Sequence, residues 1–164
     1  MADAEDRPSR QPWGQNPPRA GSWSADHRDR HSREVRLEVR WSAAGDRAPG
    51  APGGDYAAIV DEAVVAVVER KTLENLATSL SDGGLAFQMQ RLAAVARAAI
   101  VVEGDYPDLF RTQPGRGSWL ADMLGRLAVR YPEVPVIFAG SRRFAEEWAY
   151  RFLGAAAADR VESP

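Results

Sequence analysis

Residues 67–76 read VVERKTLENL, and within them stands Lys71, the only lysine in a chain that carries twenty arginines. Most exposed cations serve equally well as either residue, so a lone lysine at the end of an apolar run points to a place that arginine fills poorly. A guanidinium is planar, bulky and effectively always charged, whereas an ammonium is a compact point charge whose pKa can move. The preceding run, Ala63 to Val68, is short and β-branched, the pattern of a buried strand. Side chains alternate across an extended chain. Glu69 and Lys71 therefore share one face, roughly 6–7 Å apart along the strand, and Arg70 takes the other.

Working outward, YAAIV (56–60) reads as a second strand, and the polar pair Asp61-Glu62 as the turn of a β-hairpin. Such a hairpin returns Asp55 to the side of Glu69, so that Asp55, Glu69 and Lys71 meet at one end of one sheet. This is a kit for phosphodiester hydrolysis. Two carboxylates offer hard oxygen ligands to Mg²⁺. The metal polarises a phosphoryl oxygen and acidifies a bound water, and the lysine orients that water or stabilises charge in the transition state. The competing reading is plain: Glu-x-Lys is a common tripeptide, and most instances are solvated charges worth little.

The rest of the chain supplies a fold for this strand pair. EVRLEVRW (34–41) alternates like a half-exposed strand, and the Gly/Pro-rich segment 43–55 reads as a loop. TLENLATSL places Leu73, Leu76 and Leu80 at helical spacing with Thr72 as N-cap. After SDGG comes a second helix carrying Leu85, Met89 and Leu92. AIVVEG and VPVIFAG read as buried strands. Ser118 and Ser141 are placed to cap two further helices, the last with Phe144, Trp148 and Phe152 inward. The order β, β, β, α, α, β, α, β, α predicts an α/β three-layer sandwich, a central mixed sheet flanked by helices. One domain is expected over residues 34–158. Residues 1–33 read as a disordered or non-native-looking arm, since residues 1–31 lack hydrophobic periodicity.

Composition narrows the chemistry. With 164 residues and 45% hydrophobic content the chain fits one domain with one core. Net charge is −2, so no overall basic field marks a nucleic-acid binder. The absence of cysteine removes disulfides, thiolate metal sites and cysteine nucleophiles. His27 and His31 lie in a polar, charged context and read as solvated rather than as a metal pair. No membrane span is expected. The N-terminus lacks the apolar core of a secretory signal, and the expected location is the cytoplasm, nucleoid-associated if the source is bacterial.

GDY (54–56), the strand ending in ERK (69–71), and the following SLSDGGLAFQ (79–88) together resemble the XPF-type nuclease domain, a branch of the PD-(D/E)XK superfamily with a restriction-endonuclease-like fold. The match runs through Gly54, Asp55, Tyr56, Glu69, Arg70, Lys71, Leu76, Ser79, Leu80, Gly83, Leu85 and Gln88, and Glu103 in IVVEG looks like part of the family's next strand. The resemblance implies Mg²⁺- or Mn²⁺-dependent cleavage of branched or flapped DNA in repair or recombination. It implies Asp55 and Glu69 as metal ligands, Lys71 as the catalytic lysine, and Arg70, Asn75 and Gln88 as supporting residues.

The pattern departs from the family at four places. Asn75 stands where an Asp is expected, and Gly84 where an Arg is usual. The acidic strand expected upstream is represented only by Arg33-Glu34, and no helix-hairpin-helix module follows within the 164 residues. A second reading is therefore a catalytically weak or inactive DNA-binding or scaffold domain on the same fold. In either case Arg91, Arg111, Arg116, Arg142 and Arg143 are candidates for phosphate contacts. Without a separate DNA-binding module a lone domain of this charge holds DNA weakly, so a homodimer or a DNA-binding partner subunit is expected.

Overall fold

The apolar runs of the hairpin and of AIVVE are too short for helices spanning a domain and too apolar for a surface, so they form the middle of a sheet. The computed structural model describes residues 21–28, 34–41 and 54–162. It contains six strands and five helices in the order β1 (Gly21–Arg28), β2 (Glu34–Trp41), β3 (Tyr56–Val60), β4 (Ala63–Thr72), α1 (Leu73–Ser81), α2 (Gly84–Leu92), β5 (Ala98–Glu103), α3 (Asp108–Thr112), α4 (Gly117–Arg130), β6 (Val136–Phe138) and α5 (Arg142–Glu162).

The sheet order is β1-β2-β3-β4-β5-β6. The first four strands pair antiparallel, whereas β4–β5 and β5–β6 pair parallel. This is the mixed sheet that the sequence predicts. One face carries a core of Leu76, Leu80, Leu85, Met89, Leu92 and Leu120 packed on Val67, Ile100 and Val102. The other carries Ala145, Ala149, Leu153, Ala156 and Ala157 of α5 packed on Ala58, Ala66, Val68 and Val101. Three layers result, helices on both sides of the sheet.

Four expectations are corrected. Residues 21–28, read as part of a disordered arm, form β1, in register with β2 from Gly21↔Trp41 to Arg28↔Glu34. Sheet pairing supplies main-chain hydrogen bonds that need no apolar periodicity, the only signal a sequence reading had there. The remainder of that arm (1–20, 29–33), including His31, and most of the 43–55 loop lie outside the described residues. On α5 the inward stripe is set one residue later than predicted. Phe144 is 61% exposed, whereas Ala145 and Ala149 are fully buried. Small side chains let the helix lie close on the sheet. Trp148 and Phe152 flank that stripe, half-buried and stacked on each other with ring centroids 5.0 Å apart. Finally, α4 begins at Gly117 after an Arg116 N-cap rather than at a Ser118 cap, and β6 is a half-buried strand of three residues at the sheet edge.

Thr72 and Ser141 act as predicted. Thr72 Oγ1 accepts from the Asn75 amide at 3.1 Å, and Ser141 Oγ from the Phe144 amide at 3.4 Å. Each satisfies an otherwise orphaned N–H at a helix start.

Candidate active site at the end of the central hairpin

The β3–β4 turn is the Asp61-Glu62 pair, with φ of 49° and 64°, the left-handed conformation that tight two-residue hairpins require. Near the turn the register is Val60↔Ala63 and Ile59↔Val64, but beyond a bulge it becomes Ala58↔Ala66, Ala57↔Val67 and Tyr56↔Val68. Continued by one residue, this sets Asp55 level with Glu69. Without the bulge, Asp55 would fall level with Val68 and on the α5 face, because a one-residue slip moves a side chain to the opposite face. The extra residue, Val65, therefore places both carboxylates on the same side of the sheet.

Gly54 permits the close approach of the segment entering β3. A Cβ there would lie 2.1 Å from Val67 Cγ1 and 3.0 Å from the Val68 carbonyl oxygen. The Asp55 carboxylate is then fixed by the β4 main chain, since the Arg70 amide donates to its Oδ2 at 2.9 Å. Glu69 and Lys71 meet on the same face, with Lys71 Nζ 3.5 Å from Glu69 Oε1. Lys71 also donates to Ser79 Oγ of α1 at 3.4 Å, and the Ser79 hydroxyl donates in turn to the Asn75 carbonyl at 2.5 Å. Lys71 is the one charged residue buried among the described residues, at 8% exposure. The sequence placed it at the sheet border; α1, turning directly off β4 and lying over its end, covers it.

Electrostatics mark Glu69. Its pKa is raised, first by burial and then by the nearby Asp55 charge. Lys71 and a hydrogen bond with Gln88 of α2 oppose the rise. Two neighbouring carboxylates, with one ammonium between them and helix α1, form a site that a cation would neutralise. Among the described residues no group of three His, Cys, Asp or Glu side chains is clustered for a metal. The Asp55 and Glu69 carboxylates offer hard oxygen ligands of the kind Mg²⁺ takes in ones and twos, the rest of its shell coming from water and substrate phosphate. The residues present fit that group.

Of the residues expected to support the site, Gln88 reaches Glu69. Asn75 does not join the carboxylates: it is exposed in the first turn of α1, where its main-chain groups bond Thr72 and Ser79. Arg70 points to the opposite face and pairs with Glu103 of β5. The arginine candidates are scattered. Arg91 and Arg143 are exposed, Arg111 pairs with Asp108 at 2.9 Å, and Arg142 with Glu146 at 2.9 Å. Arg116 donates to Ser81 Oγ at 2.8 Å and lies over the Trp119 ring. Sequence reasoning gave no role to Ser79, Tyr56 or Glu103. The strand alternation that put Arg70 on the far face was the signal that it needed a partner there.

A family model of the ERCC4 domain matches residues 22–152, which takes in the whole hairpin, both carboxylates and Lys71. The chain belongs to the ERCC4 domain family. Solved structures agree with the assignment. XPF from Aeropyrum pernix in complex with DNA matches at TM-score 0.50 and 28% identity, over 68% of this chain and 50% of that one. XPF from the same organism in a second structure matches at TM-score 0.55 and 24% identity, over 76% of this chain and 65% of that one. The chain thus spans half to two thirds of the length of those archaeal proteins. No curated protein matches it. The ERCC4 assignment gives the sheet and its helices the fold of an XPF-type nuclease domain. No helix among the described residues is long and apolar enough to cross a membrane.

Proposed function

We propose that this ERCC4 domain is a Mg²⁺- or Mn²⁺-dependent endodeoxyribonuclease that hydrolyses a phosphodiester in branched or flapped DNA. The observation that carries this reading is the convergence of Asp55, Glu69 and the buried Lys71 on one face of one hairpin end. Asp55 and Glu69 would hold the cation, which when bound supplies Lewis-acid polarisation of the scissile phosphate and an acidified water. The chain's own groups do the rest. Main-chain Arg70 N–H fixes the Asp55 carboxylate. Gln88 orients Glu69. Lys71, held by Ser79 and Glu69, keeps a positive charge at the place where negative charge grows on the phosphoryl oxygens.

DNA is the proposed partner. The complex of the archaeal XPF with DNA supports it, as do the exposed arginines Arg91, Arg111, Arg116, Arg142 and Arg143. A homodimer, or a DNA-binding subunit, would add the phosphate contacts that a domain of net charge −2 lacks; light scattering at micromolar concentration tests this. The proposed location follows the substrate: cytoplasm, with the nucleoid if the source is bacterial.

Cleavage of a panel of flapped, forked and fully duplex DNAs with Mg²⁺ or Mn²⁺ is the direct test. Cutting near the duplex–single-strand boundary is expected, abolished by chelation. The two-carboxylate set, and Asn75 standing away from it, favour one further reading, a DNA-binding scaffold on the same fold. It predicts branched-DNA binding with no metal-dependent cutting.

A further inference from the structure

Behind the proposed metal site, on the α5 side of the sheet, a second polar cluster crosses three strands. Arg70 Nη1 of β4 donates to Glu103 Oε1 of β5, and the Arg70 side chain is also hydrogen-bonded to the Tyr56 hydroxyl of β3. The pair is only partly reached by solvent, with side-chain exposures of 17% for Arg70 and 13% for Glu103. Arg70 Nε is buried with no hydrogen-bond partner. The guanidinium thus leaves one buried donor unmet while its other groups reach sideways to the two neighbouring strands.

The placement of these three residues follows from alternation along each strand. Tyr56 directly follows Asp55. Arg70 lies between Glu69 and Lys71. Tyr56 and Arg70 are therefore each the chain neighbour of a front residue, with the side chain on the opposite face of the sheet. Glu103 completes the tie from β5, where it stands in register with Thr72, the residue after Lys71. Fixing Tyr56 to Arg70 fixes the spacing of the β3 and β4 backbones at the level of Asp55 and Glu69. The same residue, Arg70, holds the Asp55 carboxylate through its main-chain amide. A solvated surface ion pair would have no such geometry: this one is partly buried, bridges strands far apart in the chain, and sits beneath the only charged residue buried among those described.

We infer that Tyr56, Arg70 and Glu103 form a rear clamp that sets the separation of the Asp55 and Glu69 carboxylates, making Tyr56 and Glu103 positioning residues for the divalent cation. This rests on the proposed metal-dependent nuclease reading. All three side chains lie on the sheet face opposite the carboxylates. Their part is to hold the liganding strands, as groups behind metal ligands commonly do.

The test uses the full chain without DNA. Mn²⁺ binding is titrated by calorimetry or by electron paramagnetic resonance for wild type, Tyr56→Phe and Glu103→Gln, with melting temperature recorded for each. Tyr56→Phe removes a single hydroxyl and keeps the ring in the core; Glu103→Gln keeps the shape and one acceptor. The expected result is Mn²⁺ affinity weakened by about 10- to 100-fold in each variant, measured well below the melting temperature, where the chain is folded. A double variant should lose much less than the product of the single losses, because both act on one guanidinium. Lowered melting temperature with unchanged Mn²⁺ affinity would make the cluster a brace for the sheet alone and overturn the clamp. Wild type that binds Mn²⁺, with variants that bind it equally well, would overturn the clamp and leave the nuclease reading standing. Wild type that binds no Mn²⁺ would remove both.

Discussion

The main-chain amide of Arg70 donates to Oδ2 of Asp55 at 2.9 Å, across fifteen residues of chain. A strand that carries two of the proposed catalytic groups thus holds the third by its backbone, while the arginine side chain is engaged on the opposite face. The amide cannot be removed by side-chain substitution, so the two functions of Arg70 are separable.

Asp55→Asn tests that separation. Asparagine keeps an oxygen acceptor for the Arg70 amide and loses the charge. The chain should stay folded, with a melting temperature at neutral pH equal to or above wild type, since Asp55 disfavours the ionised form of Glu69. Mn²⁺ binding and cleavage should both be lost. A calorimetric titration beside a thermal melt measures the two effects.

Lys71→Arg should leave the fold intact and abolish cleavage. Lys71 is buried between Glu69 and Ser79, so a larger guanidinium has to displace α1, at a cost of about 1–3 kcal/mol in stability. Lys71→Met keeps the approximate volume and removes the charge. It should lower kcat by about 100- to 1000-fold with little change in DNA binding, as read by single-turnover kinetics and fluorescence anisotropy.

Glu69 gives a pH dependence of defined sign. Its folded pKa is raised by burial and by Asp55, so between the ordinary glutamate value, about 4.3, and its own higher value the folded chain holds more of this proton than the unfolded chain. This contribution to stability is present below that window and is lost as pH rises through it. Metal binding has the opposite trend, because the cation competes with the proton. Denaturant melts across the acidic range should show the effect, and Glu69→Gln should remove this component. Mn²⁺ affinity of wild type should rise over the same window.

The face of α5 can be tested from both sides. Phe144→Ser, at an exposed position, should change stability by no more than about 0.5 kcal/mol. Ala149→Leu, at a position with no exposure, forces a larger side chain between helix and sheet and should cost about 1–3 kcal/mol. Chemical denaturation of the two variants distinguishes the alanine stripe from the aromatic one.

Glu62→Gly should stabilise the hairpin by about 1 kcal/mol, because Glu62 has a φ of 64° and a Cβ is disfavoured in the left-handed region. Urea denaturation measures the gain, and the register beyond the bulge should be unchanged.

Strands β2 to β6 and the two short helices after Lys71 were legible in the sequence, because each rests on local signals: β-branched runs and a capping threonine; the lone lysine drew attention to the end of β4. The sequence was less informative where the deciding force is not periodic. β1 is recruited by main-chain pairing, and α5 turns its alanines inward because close approach to the sheet outweighs full burial of Phe144, Trp148 and Phe152. The bulge was within reach of arithmetic. Thirteen residues separate Asp55 from Glu69, and a two-residue turn leaves an odd number, which cannot pair one to one. Placing the turn at Asp61-Glu62 and Asp55 beside Glu69 therefore already demanded one extra residue. Lys71 is buried because α1 starts at the next residue but one, a consequence of tertiary packing that strand alternation alone does not contain.

Every strand of the sheet is paired with its predecessor in the chain, from β1 to β6. During synthesis no later strand has to be inserted between two already joined, and each new strand meets an edge that is complete when it leaves the ribosome. The carboxylate pair belongs to the β3–β4 ribbon and needs only local closure, which is fast. The acid that ties the rear of that ribbon arrives with β5, some thirty residues behind the arginine it engages. A nascent chain arrested before β5 would therefore expose an untied Arg70. The last neighbour to arrive, β6, leaves an outer edge only three residues long, which limits the backbone available for pairing with another unfinished chain.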